Sequence, residues 1–175
     1  MFLELIGVIF AGFAVAGVVM LINKLTGGRL PRWTAPVGAG LGMIIATIAN
    51  EYSWYQRTSG VLPEGLVVAE TVEHSSFYRP WTLAAPYINR FAAVDTASVQ
   101  THIERPGQRM ADIYFFGRWA PVNELTVVAD CNTDQSALLS GNPEFGDDGT
   151  IDGLNWARTE SDDAIMAVLC EGHPA

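Results

Sequence analysis

Residues 5–23 read LIGVIFAGFAVAGVVMLIN, residues 24–32 read KLTGGRLPR and residues 33–50 read WTAPVGAGLGMIIATIAN. This stretch decides the fold class. The first run has 19 residues without a charge, between Glu4 and Lys24. The third has 18, between Arg32 and Glu51. At about 1.5 Å per residue, each run coiled as a helix reaches roughly 27–29 Å, close to the hydrocarbon thickness of a bilayer. Two membrane-spanning helices are therefore expected. Gly27, Gly28 and Pro31 break the helical pattern between them and predict a turn joining antiparallel spans.

Charge orients this expected hairpin. The turn holds Lys24, Arg29 and Arg32 and no acid, so the positive-inside rule places it in the cytoplasm. Both termini then face the other side, the periplasm of a bacterial inner membrane. Trp33 opens the second run, and Tyr52, Trp54 and Tyr55 follow its end, where interfacial rings belong. Ala14-Val15-Ala16 has the look of a signal-peptide cleavage site. However, residues 1–4 carry no positive charge and the apolar run continues to Ile22, which favours a retained span.

Small residues recur every fourth position at Gly38, Gly42 and Ala46, and at Gly7 and Ala11. Such stripes let helices approach closely. They close the hairpin on itself or dock it in a larger integral membrane complex, and spacing does not separate these readings. Neither run has a charged residue in its middle, which argues against a proton path, a channel or a transporter of charged substrates.

Working outward, residues 58–175 form the second expected unit, after a hairpin unit 1–57. Strand-like runs dominate it at 66–72, 99–103, 111–119 and 124–131, separated by Pro106-Gly107, Pro121, Gly141 with Pro143, and Asp148-Gly149. Residues 164–170 read AIMAVLC, which fits either a strand or a helix. The expected fold class is α+β, a two-helix transmembrane hairpin followed by a small extracytoplasmic β-rich domain, sandwich-like or α+β. Cys131 and Cys170 are the only cysteines. In an oxidising compartment they are expected to form a structural disulfide; two buried thiols or a redox pair are the other options, and there is no Cys-x-x-Cys.

The whole chain has 175 residues, 49% hydrophobic and 17% charged, with a net charge of −9. That composition excludes a disordered chain and argues against a nucleic-acid binder, whose footprint is basic. The charge is uneven. Residues 130–175 hold ten acids against Arg158 alone. Asp147, Asp148, Asp152, Glu160, Asp162 and Asp163 crowd this part. They form a solvated face or a docking surface for a basic soluble protein such as a c-type cytochrome.

Chemical signatures are weak. Asp148, Thr150, Asp152 and Gly153 resemble the opening of a calcium-binding loop, but the closing position is Thr159 and Glu160 comes one residue late. His74, His102 and His173 lack metal-ligand spacing, and no other metal site is expected. His74-Ser75-Ser76 suggests a hydrolase pair, without a nucleophile elbow, and reads more simply as a polar loop. No cofactor motif is present. Residues 77–88, FYRPWTLAAPYI, bring Phe77, Tyr78, Trp81 and Tyr87 together between prolines. These rings pack the core or rest on headgroups or a partner. The expected function is a non-enzymatic, membrane-anchored accessory or assembly subunit of a larger inner-membrane complex, electron transfer being one option, with an acidic periplasmic docking surface. The alternative is a membrane-anchored periplasmic hydrolase with an acidic site.

Overall fold

A computed structural model describes residues 2–102, 105–139, 144–145, 151–152, 154–159 and 163–171. The chain divides into two compact units, Met1–Arg57 and Thr58–Ala175.

In the first unit, α1 spans Phe2–Leu25 and α2 spans Thr34–Ser59. No proline or charge interrupts α1 between Glu4 and Lys24, so every interior backbone bond can form. It ends where two consecutive glycines, Gly27 and Gly28, both adopt φ 77°, a conformation that side chains with a Cβ resist. The Gly28 N–H donates to the Asn23 carbonyl at 2.7 Å, and the Asn23 side-chain oxygen accepts the Leu30 N–H at 2.9 Å. These bonds satisfy the helix end and fix the turn. α2 carries its one proline, Pro36, in its first turn, where a missing N–H costs nothing. It then runs beyond the expected apolar limit at Asn50, through the tyrosine-rich end of the run.

Among the described residues, α1 is the one helix long and apolar enough to cross a membrane. α2 has the length but not the composition. Its Gly38, Gly40 and Gly42, with Thr34, Thr47 and Asn50, dilute its apolar content.

The second unit is α+β: a curled antiparallel sheet covered on one face by a helix. Its strands are β1 (Leu66–His74), β2 (Tyr87–Asp95), β3 (Gln100–Thr101), β4 (Gln108–Gly117), β5 (Asn123–Asp130), β6 (Gln135–Leu138) and β9 (Ala157–Arg158). The order is β1-β2-β4-β5-β6-β9, and β3 pairs with β4 beyond the point where β2 leaves it. β2 and β3 are thus one line broken at residues 96–99. Asp95 holds the break, accepting the Ala97 N–H on its carboxylate and the Ser98 hydroxyl on its carbonyl, each at 2.9 Å. β7 (Glu144–Phe145) and β8 (Ile151–Asp152) form a separate two-stranded ladder. α3 is a single turn, Trp81–Ala84, in the connection from β1 to β2.

One face of the sheet aligns Ala92, Val94, Ala111, Ile113, Val127 and Ala129, and Met166, Val168 and Leu169 of helix α4 (Ala164–Glu171) bury it. Residues 164–170 are therefore helix rather than strand, because the core needs a cover at 3.6-residue spacing and not another ladder. Asp163 caps α4, its Oδ1 accepting the N–H groups of Ile165 at 2.9 Å and Met166 at 3.0 Å. At the other end, Arg109 Nη1 donates to the Leu169 carbonyl at 2.8 Å. Cys131, immediately after β5, forms a disulfide with Cys170 of α4, with Cα atoms 5.7 Å apart.

The bridge joins residues 39 apart. Closing such a loop removes about 4 kcal/mol of chain entropy from the unfolded state in the loop-closure account. The Cys131→Ser/Cys170→Ser variant should therefore melt roughly 10–15 °C below the wild type, followed by circular dichroism of the β signal. The native protein should take up no thiol-alkylating reagent until it is reduced.

Candidate functional site

The helix pair of the first unit meets through glycine. A methyl group placed on Gly42 would lie 2.6 Å from Val15 Cγ2, and one on Gly38 would lie 2.9 Å from Val19 Cγ2. Both distances are shorter than real Cβ atoms show, so a side chain at either position would displace the facing valine. The matching position on α1 is Gly12, which faces the Met43 side chain and is buried. Gly7 has open space around it and, with Ala46, lines a groove beside Glu4, Asn50 and Arg57. Ala11 and Ala46 are half-buried. Of the five small residues singled out by spacing, Gly38 and Gly42 thus make the tight contact. Gly12 was missed because its partner is a methionine and not another small residue. At the open end of the pair, Arg57 approaches Glu4 at 3.8 Å and also donates to Asn50.

The acidic stretch divides between described and undescribed residues. Asp147, Asp148, Thr150, Glu160 and Asp162 lie outside the described residues. Asp152 sits on β8. Asp163 is the cap of α4, so its carboxylate already holds two backbone N–H groups. Among the described residues, no group of three or more His, Cys, Asp or Glu is arranged to hold a metal ion.

The sheet face turned away from α4 joins an apolar part, where Phe91 stacks on Phe116 beside the buried Ala93 and Val128, to a polar part. Thr126 donates its hydroxyl to Asp112 at 2.6 Å. The Tyr114 phenol is held above the ordinary tyrosine range, by desolvation first, and then by the Glu124 carboxylate, to which it donates, and by Asp112 and Asp95. At one end of the sheet a cavity of about 390 Å³ opens between His102, Arg105, Gln108, Asp130 and Trp156. Gln108 donates to Asp130 there at 3.2 Å, and the His102 Nδ1 accepts the Arg105 N–H at 3.1 Å.

The opposite end of the sheet has a different character. The register places the end of β1, the start of β2, the end of β4 and the start of β5 together, through His74↔Tyr87, Arg90↔Gly117 and Phe115↔Asn123. Here the connection through α3 is pinned from inside. Thr82 is fully buried, its Oγ1 accepts the Ser76 N–H at 2.9 Å, and it donates to the Arg79 carbonyl at 2.7 Å. Ser76 Oγ and His74 Nε2 are 2.7 Å apart, and the Tyr87 ring meets His74 edge-on. Ser76 is buried and its main chain is tied to Thr82, so this pair stitches the connection to the strand. The pinning turns the remaining side chains outward. Phe77 is 92% exposed, Tyr78 73%, Leu83 61% and, from the turn after β4, Trp119 60%. The aromatic run therefore does not pack the core, apart from Tyr87. Arg79 lies over the Tyr78 ring at 5.4 Å and Arg118 over the Trp119 ring at 5.0 Å.

The glycine contact is open to a direct test. Gly42→Leu should separate the helices, raising protease cleavage in the turn at residues 24–32 and lowering the detergent melting temperature. Gly7→Ala should leave both unchanged, because its added methyl meets nothing within 4 Å.

No family model, no curated protein and no solved structure matches the chain, so the reading of these sites rests on their own chemistry.

Proposed function

We propose that the chain is a non-enzymatic, membrane-anchored accessory or assembly subunit of a larger inner-membrane complex. Both α1 and α2 cross the bilayer, the turn at residues 24–32 is cytoplasmic, and the disulfide-stapled unit stands in the periplasm with both termini. The observation that carries this reading is the inversion of the helix pair. Gly12, Gly38 and Gly42 meet inside, while Phe10, Phe13, Leu21, Leu41, Ile44 and Ile45 all face outward and exposed. Water does not tolerate so continuous an apolar exterior, and a hydrocarbon medium requires one. The same seam accounts for the modest apolarity of α2, because the residues that dilute it include those that meet α1.

The disulfide agrees with an oxidising compartment. The excess of acidic residues in the sequence beyond β5 suits a basic soluble partner, of the c-type cytochrome kind. The hydrolase alternative has one observation on its side, the 2.7 Å contact between Ser76 and His74. Burial of Ser76 weighs against it, since an attacking hydroxyl must meet its substrate.

A reporter enzyme active only in the periplasm should work when fused after Ala175 and fail when inserted between Gly27 and Gly28. Activity at the turn would invert the topology, and activity at both positions would leave α2 outside the membrane. Purified in mild detergent at low salt, the chain should elute with other membrane proteins. Gly42→Leu should disturb that elution, whereas Asp147→Asn/Asp148→Asn should change only the salt dependence of any soluble partner. Elution of the wild-type chain alone would remove the subunit reading.

A further inference from the structure

We infer that the aromatic end of the sheet docks on the phosphate headgroup layer of the bilayer that anchors the chain. The inference rests on the membrane-anchored reading above. Four large side chains at this end, Phe77, Tyr78, Leu83 and Trp119, are more than half exposed. Thr82 and Ser76 pin the inner side of the connection that carries Phe77, Tyr78 and Leu83. Rings held outward by a buried hydrogen-bond network are preorganised for contact.

The chemistry of the patch selects the partner. Tyr and Trp join an apolar body to a polar tip, and such side chains gather where hydrocarbon gives way to headgroups. The guanidinium groups of Arg79 and Arg118 lie over two of the rings, and Arg90 is exposed on the adjoining strand. Each suits a lipid phosphate, which guanidinium binds in a bidentate manner. The unit Thr58–Ala175 carries six arginines against seventeen acids, so an anionic bilayer repels most of its surface. Half of its arginines stand at this one end, where Glu70, Glu73 and Glu124 balance them. This end is thus close to neutral while the unit as a whole is acidic, and an anionic bilayer is repelled less here. Tethering supplies the encounter, since an anchored domain meets its own membrane at a high effective concentration.

The five tryptophans make the test internal to one sample. Trp33 and Trp54 lie in the anchoring unit, Trp81 and Trp119 at the aromatic end, and Trp156 at the cavity end. The full chain is labelled with 5-fluorotryptophan and placed in nanodiscs of phosphatidylethanolamine and phosphatidylglycerol. Its fluorine resonances are assigned by single Trp→Phe replacements. A doxyl-labelled lipid should broaden Trp81 and Trp119 several-fold more than Trp156, and an aqueous gadolinium chelate should show the reverse order. Broadening of Trp33 and Trp54 by the lipid probe, with Trp81 and Trp119 reached only by gadolinium, overturns the docking and leaves the anchor intact. Protection of Trp81 and Trp119 from both probes overturns it in favour of a second copy of the chain as the occupant. Equal broadening of Trp156 by the lipid probe overturns the choice of this end. A Trp33 resonance untouched by the lipid probe removes the membrane anchor itself, and the docking with it.

Discussion

Everything in the second unit depends on covering one apolar face of one sheet. Ala92, Val94, Ala111, Ile113, Val127 and Ala129 line up on that face, and among the described residues α4 covers them. A helix of eight residues has little stability of its own. It is therefore fastened at both ends: Asp163 caps its start, while Arg109 and the Cys131–Cys170 bridge hold its finish. The fastening arginine and the first cysteine lie on or next to β4 and β5, the strands the helix covers. The cover is thus attached to what it protects.

The sequence made β1, β4 and β5 legible, because each alternates or concentrates β-branched and aromatic residues between turn signals. It hid β2. That strand reads YINRFAAVD, without alternation, because it lies between β1 and β4 and is buried on both faces along Phe91–Val94. A strand with no solvent face has no periodicity to read. Residues 164–170 were ambiguous for a related reason, since a short apolar run takes its identity from what it packs against. The cysteines were simpler: two thiols in one domain leave one intramolecular pairing.

The candidate sites were legible in part. Fourfold spacing found Gly38 and Gly42, where backbone meets side chain, and also selected Gly7, which faces open space. Spacing records which residues share a face, not which side chain stands opposite. The aromatic run at residues 77–88 was visible, but its direction was not. The buried Thr82, a residue without apparent chemistry, decides that the rings point out. Asp163 gives the converse lesson: an acid within a crowded acidic stretch serves as a helix cap.

The place of α4 after every strand of the sheet in chain order has a kinetic consequence. Its contacts with β1 join residues about a hundred positions apart, so the core forms only after that long loop closes, and folding is slow in proportion. Until α4 packs, the strands present an uncovered apolar face. During that interval Cys131 waits as a free thiol with no correct partner.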